Sequence, residues 1–191
     1  MGRYKEFDRE AVLHKAMLVF WKKGYEAASI PDLLKAMDLS RSSLYETFGD
    51  KQTLYIEAIN QYKKWKQAKR DILVHATSAK SGIRQYFELH IDSALDAESP
   101  KGCFITNAAV GMDSPDEQLN ALIRERFDEL EKAFYELLRN GQETGEISPD
   151  KDIKTLSYLL LNLNHSINIV AKVQGDRSRI RQMMDTVMEM L

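Results

Sequence analysis

The residues with the clearest capacity for chemistry form a hydroxyl-rich cluster near position 40. Ser40, Arg41, Ser42 and Ser43 are consecutive, and Tyr45 follows closely. Short hydroxyl side chains at the start of a helix cap its backbone and let the helix approach another molecule, because a helix N-terminus attracts phosphate oxygens. An arginine at this point can donate two hydrogen bonds to a guanine. The pattern predicts either a simple helix cap or a surface that contacts DNA.

The neighbouring sequence predicts three short helices that would position this cluster. Asp8 is a suitable cap for a first helix that ends at Gly24, and Ser29 is a suitable cap for a second. The turn MDLS then leads to a third helix, which is capped by Ser40 and ends at Gly49. Two helices joined by so short a turn form a candidate helix-turn-helix, whose second helix presents its first residues to the major groove.

The remainder of the chain is predicted to be helical as well. Asp50 is expected to cap a long fourth helix that reaches residue 75. Apolar spacing and turn signals predict five further helices, near residues 79–96, 101–112, 115–140, 150–173 and 176–190. Convincing strand alternation is not found, so the sequence predicts an all-α fold.

Composition favours an ordered, soluble protein in the cytoplasm. Of 191 residues, 43% are hydrophobic, 29% are charged and 4 are proline, which is untypical of disordered chains. The apolar stretch 156–173 is interrupted by three asparagines and a histidine, so no membrane helix is expected. The N-terminus lacks the apolar core of a signal peptide. A single cysteine, Cys103, cannot form an internal disulfide or a zinc cluster, and no metal or other cofactor is expected.

Charge is distributed unevenly along the chain. Residues 1–70 contain 14 Lys and Arg against 9 Asp and Glu, whereas residues 71–191 contain 13 against 20. The first part therefore carries +5 and the second −7. A basic N-terminal part with an acidic remainder fits a module that contacts phosphates, joined to a module that does not.

The segment from Ala16 to Leu54 resembles the N-terminal DNA-binding domain of the TetR/AcrR family of transcriptional repressors. It reads A-x-x-x-F-x-x-x-G-Y-E-x-x-S-I-x-D-L-x-x-A-x-x-L-S-R-S-S-L-Y-E-T-F-G-D-K-Q-x-L. The resemblance implies a helix-turn-helix DNA-binding domain over residues 1–50 and a larger helical ligand-binding and dimerisation domain over residues 51–191. The implied function is that of a repressor, a homodimer that binds a palindromic double-stranded DNA operator and is released by a small-molecule inducer.

The resemblance also implies which residues meet DNA. Eight positions match the family's contacts to bases or backbone: Ser29, Ser40, Arg41, Ser42, Ser43, Tyr45, Thr47 and Lys51. Five others match its core: Phe20, Ile30, Leu33, Leu44 and Phe48. Alternatives remain at two contacts, because Tyr45 could be a half-buried packing residue and Lys51 a solvated lysine. The chain departs from the family at Asp38, where a turn glycine is usual, and at Ser42, where many members have glycine.

In this family the inducer pocket lies among the later helices, and nine residues are candidates by that matching: Tyr62, Trp65, Phe87, His90, Cys103, Phe104, Met112, Phe127 and Leu130. The same aromatic and methionine spacing is also typical of an ordinary core. Cys103 is either a thiol that senses oxidants or electrophiles or an inert buried residue. His90 and His165 lack metal-ligand companions and are expected to be satisfied or interfacial histidines.

The segment 150–173 is apolar on more than one face, so a partner subunit is a natural cover for it. The predicted dimer interface combines this segment with the last helix: Leu156, Leu160, Leu163, Ile167, Val170, Met183, Met184 and Val187. Two other classes of protein are conceivable. An enzyme is disfavoured, because no paired nucleophile and base and no phosphate-binding glycine loop is found. A helical adaptor is the other alternative, and a steep salt dependence of DNA affinity would exclude it.

Overall fold

The computed structural model describes residues 7–111 and 116–191. These residues form ten helices: α1 Arg9–Ala27, α2 Ile30–Met37, α3 Arg41–Phe48, α4 Lys51–Trp65, α5 Gln67–His75, α6 Ala79–Leu95, α7 Phe104–Val110, α8 Glu117–Glu143, α9 Ile153–Val173 and α10 Arg177–Met190. Strands are absent from the described ranges, and the all-α prediction is confirmed. Within these ranges, no helix combines the length and the apolar character needed to cross a membrane.

The chain divides into two compact units, of which the first ends at Trp65 and the second runs from Lys66 to Leu191. The predicted single fourth helix is wrong, because Lys66 leaves helical geometry (φ −92°, ψ 6°) and separates α4 from α5. α4 packs against α1 in the first unit. The compact N-terminal unit therefore extends beyond the boundary that the sequence placed at residue 50.

Aromatic side chains join α1 to α4 in the first unit. The ring of Phe20 lies 4.9 Å from that of Tyr55, and the ring of Trp21 lies 5.1 Å from that of Tyr62. Gly24 has φ 80° and ψ 170°, so the helical geometry breaks where the sequence predicts the first helix to end, although α1 resumes for one more turn. Joined by these contacts, α1 and α4 support the two shorter helices, α2 and α3.

The predicted caps of the short helices are confirmed. Asp8 accepts hydrogen bonds from the amides of Glu10 and Ala11, and Ser29 forms a capping box with Asp32. Asp38 ends α2 in the left-handed conformation, with φ 56° and ψ 43°. Glycine adopts this conformation most readily, and asparagine and aspartate adopt it more often than other residues, so the turn forms with an aspartate in place of the family's usual glycine.

Helices α5 to α10 enclose the core of the second unit. Ile83, Phe134 and Leu160 are fully buried there. Glu146 caps the start of α6, where its carboxylate accepts hydrogen bonds from the Ser78 hydroxyl at 2.7 Å and from the Ala79 amide at 2.6 Å. Burial raises the pKa of Glu146, but these hydrogen bonds outweigh that effect and leave the pKa below its usual value.

Ion pairs fasten the last helix to α6. Arg84 lies 2.7 Å from Asp185, Arg181 lies 2.6 Å from Glu88, and Arg177 pairs with Asp92. The predicted helices of this unit are found with small differences at their ends. The differences reach three residues at the start of α7, the end of α8 and the start of α9.

Candidate DNA-binding surface and polar interior

Helix α3 has one face in the core and one in solvent. Leu44 is 0% exposed and Phe48 is 2% exposed, as the sequence predicted. On the opposite face Arg41 and Ser42 are exposed, and Tyr45 has an exposed fraction of 40%. The structure therefore places Tyr45 on the outer surface and not in a half-buried packing position.

The serines at the start of α3 form a single hydrogen-bonded group. Ser40 accepts a hydrogen bond from the Ser43 amide at 3.1 Å, which confirms it as the cap. Its hydroxyl oxygen also lies 2.9 Å from those of Ser42 and Ser43. The cap and the proposed contact surface are thus made by the same residues, and the two interpretations of this cluster are compatible.

Two cations beside this surface have no carboxylate partner in the described part of the chain. The Arg41 guanidinium lies 5.8 Å from the centre of the Tyr45 ring. Lys51 Nζ donates to the Glu26 carbonyl at 3.4 Å and lies 4.6 Å from the centre of the Tyr25 ring. Their charges are not neutralised by neighbouring carboxylates, so both can attract phosphate.

Ser29 and Thr47 offer weaker contacts than the sequence implied. The Ser29 hydroxyl already donates to Asp32 at 2.7 Å, and Asp32 also pairs with Lys23 at 2.7 Å. The hydrogen bond from Lys23, followed by those from Ser29, holds the pKa of Asp32 well below its usual range. Ser29 must release this carboxylate before its hydroxyl can donate to phosphate. Thr47 is half-buried.

The nine residues predicted to bind a ligand are not all brought together. Phe87, His90 and Phe104 are buried in the second unit, and three more are partly buried there: Cys103, Phe127 and Leu130. Tyr62 and Trp65 belong to the first unit, where their rings lie 5.1 Å and 5.9 Å from that of Trp21. Met112 lies outside the described residues.

Most of the predicted dimer residues are core residues of their own chain. Leu156, Leu160, Ile167, Met184 and Val187 are buried in the main cluster of the second unit. Leu163 and Met183 pack against that cluster, and Val170 is 42% exposed. α9 is therefore apolar for two reasons. One side of the helix is buried against α8 and α6 of the same chain, and another side forms an apolar outer surface.

A first hydrogen-bonded chain in the second unit runs through Lys69 on α5. Lys69 Nζ lies 2.8 Å from Nδ1 of His90, and Nε2 of His90 donates to the Asn164 carbonyl at 2.9 Å. Tyr86 donates to Oδ1 of Asn164 at 3.0 Å. Desolvation, followed by the positive charge of Lys69, lowers the pKa of His90 well below its usual value, so its ring is neutral.

A second chain of hydrogen bonds joins two residues of α9 through a residue of α7. Asn168 Nδ2 donates to Thr106 Oγ1 at 3.2 Å, and Thr106 Oγ1 lies 2.9 Å from Nδ1 of His165. The His165 ring stacks on that of Phe127, with 4.0 Å between centroids. His90 is satisfied at both nitrogens, as the sequence predicted. His165 is not, because its buried Nε2 has no partner among the described residues.

Sequence reasoning missed Lys69. The residue lies on the same helical stripe as Ile72 and Leu73, three and four positions further on, and Leu73 is buried. A lysine on the apolar stripe of a helix is the signal that could have identified it, because lysines seldom lie there without a partner.

Comparison with known proteins finds a family match within each of the two units. Residues 12–58 match the family of bacterial regulatory proteins, tetR family, and residues 79–187 match the tetracyclin repressor-like C-terminal domain. The chain is 35% identical, over all of both chains, to an uncharacterized HTH-type transcriptional regulator, YezE of Bacillus subtilis (strain 168). It is 28% identical to the HTH-type transcriptional repressor ComR of Escherichia coli (strain K12), over 99% of this chain and 91% of ComR.

A solved structure shows the same architecture on DNA. A cysteine mutant of the TetR family transcriptional regulator CifR, complexed with 26-bp operator DNA, has a TM-score of 0.90 and 29% sequence identity, with 98% of each chain covered. The fold and the exposed face of α3 define a helix-turn-helix transcriptional regulator that binds DNA. The chain belongs to the tetR family of bacterial regulatory proteins, and it is not an enzyme.

Proposed function

We propose that the chain is a repressor that binds a palindromic operator as a homodimer and leaves it when a small molecule binds the second unit. The observation that carries this proposal is the exposed face of α3, where Arg41 and Tyr45 project beside the serine cap. Such a face can enter the major groove while Leu44 and Phe48 hold the helix to its support. The relative ComR is named a repressor.

The outer side of α9 supports the proposed dimer. Ile169, Val170 and Val173 are exposed there, at 47%, 42% and 85%. Val170, with Ser166 on the same helix, also lines a groove whose other side includes Met183 of α10. An apolar surface of this kind is a natural contact between two copies of one chain. Of the eight residues predicted for the interface, three line this groove: Val170, Met183 and Ile167, of which Ile167 is itself buried.

The proposed response to a ligand rests on the second unit. A ligand can shift a regulator between states only if it prefers one of them. Helices α5, α6, α7 and α9 contribute polar side chains to two chains of hydrogen bonds that meet at the Asn164 carbonyl, which is a costly arrangement for an ordinary core. We place the effector site among these residues and the buried aromatic side chains of Phe87 and Phe104.

The test is selection of duplexes from a random library by the purified full chain, followed by sedimentation of the selected complex. We expect an inverted repeat with half-sites about 34–36 Å apart, or a multiple of this distance, and two or more chains on each duplex. Recovery of unrelated duplexes, or of one chain on a single half-site, would contradict the proposal.

A further inference from the structure

We propose that the effector is a small organic acid with an apolar body, whose carboxylate is bound in the second unit by Lys69 and His165. This inference rests on the proposed function above, because it names the chemistry of the molecule that the regulator senses. It arises from an excess of hydrogen-bond donors that face no carboxylate.

The first donor is the ammonium group of Lys69. The residue as a whole keeps some exposed surface, but its ammonium group is enclosed by protein. In the described part of the chain its contacts are Nδ1 of His90 at 2.8 Å and the face of the Tyr86 ring at 4.7 Å, and no carboxylate lies within ion-pair distance. An enclosed ammonium without a counter-ion is costly, and a bound carboxylate would remove that cost.

His90 cannot neutralise this charge. Its Nε2 carries a proton, because that nitrogen donates to the Asn164 carbonyl at 2.9 Å. Its Nδ1 must then accept from Lys69, which uses one of the three ammonium protons. His90 therefore orients the ammonium group of Lys69 and leaves two of its donors for a ligand.

The second donor is Nε2 of His165. Thr106 Oγ1 accepts a hydrogen bond from Nδ2 of Asn168 at 3.2 Å, which leaves its own hydroxyl proton available for donation to Nδ1 of His165 at 2.9 Å. In the tautomer in which Nδ1 accepts from Thr106, Nε2 carries the ring proton, and this nitrogen is buried without a partner among the described residues. Unsatisfied buried donors are rare in folded proteins and mark places where another group belongs. The two donors belong to one hydrogen-bonded network, because the Asn164 carbonyl accepts from His90 at 2.9 Å and from Asn168 at 2.9 Å, and Asn168 leads through Thr106 to His165.

The surroundings of these donors define the rest of the ligand. Phe127 stacks on His165, and Phe104 and Phe87 are buried in the same unit. A body that packs against such rings is apolar, and a single negative charge matches a single enclosed ammonium. These features select a monocarboxylate such as an aromatic or medium-chain acid over a highly charged phosphate compound.

Among the described residues, no carboxylate supplies the missing anion at Lys69. Two neighbouring groups act on the charge of Lys69: the Cys103 thiol, before α7, raises its pKa, and Lys66, which precedes α5, lowers it. Lys69 in turn lowers the pKa of His90 on α6 and of His165 on α9. On α8, which packs against α5, the carboxylate of Glu129 is bound by Arg70 at 2.9 Å and by Arg126 at 2.8 Å. Desolvation lowers the pKa of Lys69 to about 8, so acid binding is expected to weaken as the pH rises above 8.

The experiment is calorimetric titration of the full chain with benzoate and octanoate, each compared with its neutral amide. We expect at least one acid to bind about tenfold or more tightly than its amide. Lys69→Met should reduce that affinity by a similar factor, and Lys69→Arg should restore part of it. Lys154→Met, an exposed lysine on α9, is the matched control and should bind as the parent does. Thermal unfolding of each variant verifies that it is folded.

Failure of this inference can be separated from failure of the proposed function by adding the selected operator duplex. If the chain binds the operator but neither acid binds, or the amides bind equally well, the inference is overturned and the repressor proposal stands. Equal affinity in Lys69→Met also overturns it. An acid that binds through Lys69 without releasing the operator would overturn its role as the effector.

Discussion

At the scale of single residues, the chain keeps some charges unpaired and neutralises others. Lys23 pairs with Asp32 and Arg9 binds both carboxylate oxygens of Glu57, at 2.8 Å and 2.6 Å. Exposed pairs of this kind contribute little to stability, but they remove a positive charge from the surface. Arg41 has no such partner among the described residues, so it remains available to DNA.

The buried histidines predict how stability depends on pH. Desolvation, followed by the charge of Lys69, lowers the pKa of His165 to about 4. Below about pH 6.5 the imidazole of His165 binds a proton in the unfolded chain but stays neutral in the folded chain. The free energy of unfolding therefore falls as the pH drops from about 6.5 to about 4. The slope is at most about 1.4 kcal/mol per pH unit for each such histidine.

Urea unfolding between pH 5 and 7.5 measures this slope. His165→Asn keeps an amide near the position of Nδ1 but does not titrate, so it should flatten the pH dependence, and the remaining slope should come chiefly from His90. A variant with the parent slope would show that His165 is not kept neutral by the fold.

At the scale of elements, residues of α9 differ in where they lie: some are in the core of their own chain, and others are on the outer face that we propose for the dimer. Leu160 is 0% exposed and lies in the core, whereas Val170 is 42% exposed on the outer face. A charge at position 160 must enter the core of its own chain, whereas a charge at position 170 reaches only the proposed partner surface.

We therefore expect Leu160→Glu to lower the free energy of unfolding by about 4 kcal/mol or more, and Val170→Glu to change it by less than about 1 kcal/mol while dissociating the dimer. Denaturant unfolding and sedimentation equilibrium measure the two effects. A dimer that survives Val170→Glu would move the interface away from this face.

The short helices could be predicted from sequence because their signals are local. Caps at Asp8, Ser29 and Ser40 and the buried pair Leu44 and Phe48 depend on residues a few positions away. The break at Lys66 has no such signal, since no glycine or proline marks it, and it coincides with the boundary between the two units.

The sequence predicted the exposed face of α3 more completely than the polar interior of the second unit. The exposed face of α3 follows from its helical period and from the family resemblance. The polar chains through Lys69 and His165 join residues far apart in sequence, from 69 to 164 and from 106 to 168. Contacts of this kind are fixed by tertiary packing and leave no local pattern, so the sequence named His90 but missed Lys69.

At the scale of the whole molecule, the two units have different proposed roles: the first binds DNA, and the second dimerises and binds the effector. The basic charge of residues 1–70 suits a phosphate partner, and the acidic remainder does not. The second unit carries both the proposed dimer face and the proposed effector site. Coupling then requires that an effector change the relative stability of the operator-binding state, and the same coupling must weaken effector binding when DNA is present.

The central claim is that the exposed face of α3 binds DNA, and fluorescence anisotropy of the selected operator duplex tests it most directly. We expect Arg41→Ala and Tyr45→Ala each to weaken binding by about tenfold or more. Lys51→Ala should weaken it and reduce the slope of log K against log[salt] by about 0.9 for each phosphate that the lysine neutralises in the parent complex. Lys154→Ala, far along the sequence in α9, should match the parent. Parent affinity in all three α3-side variants would contradict the account.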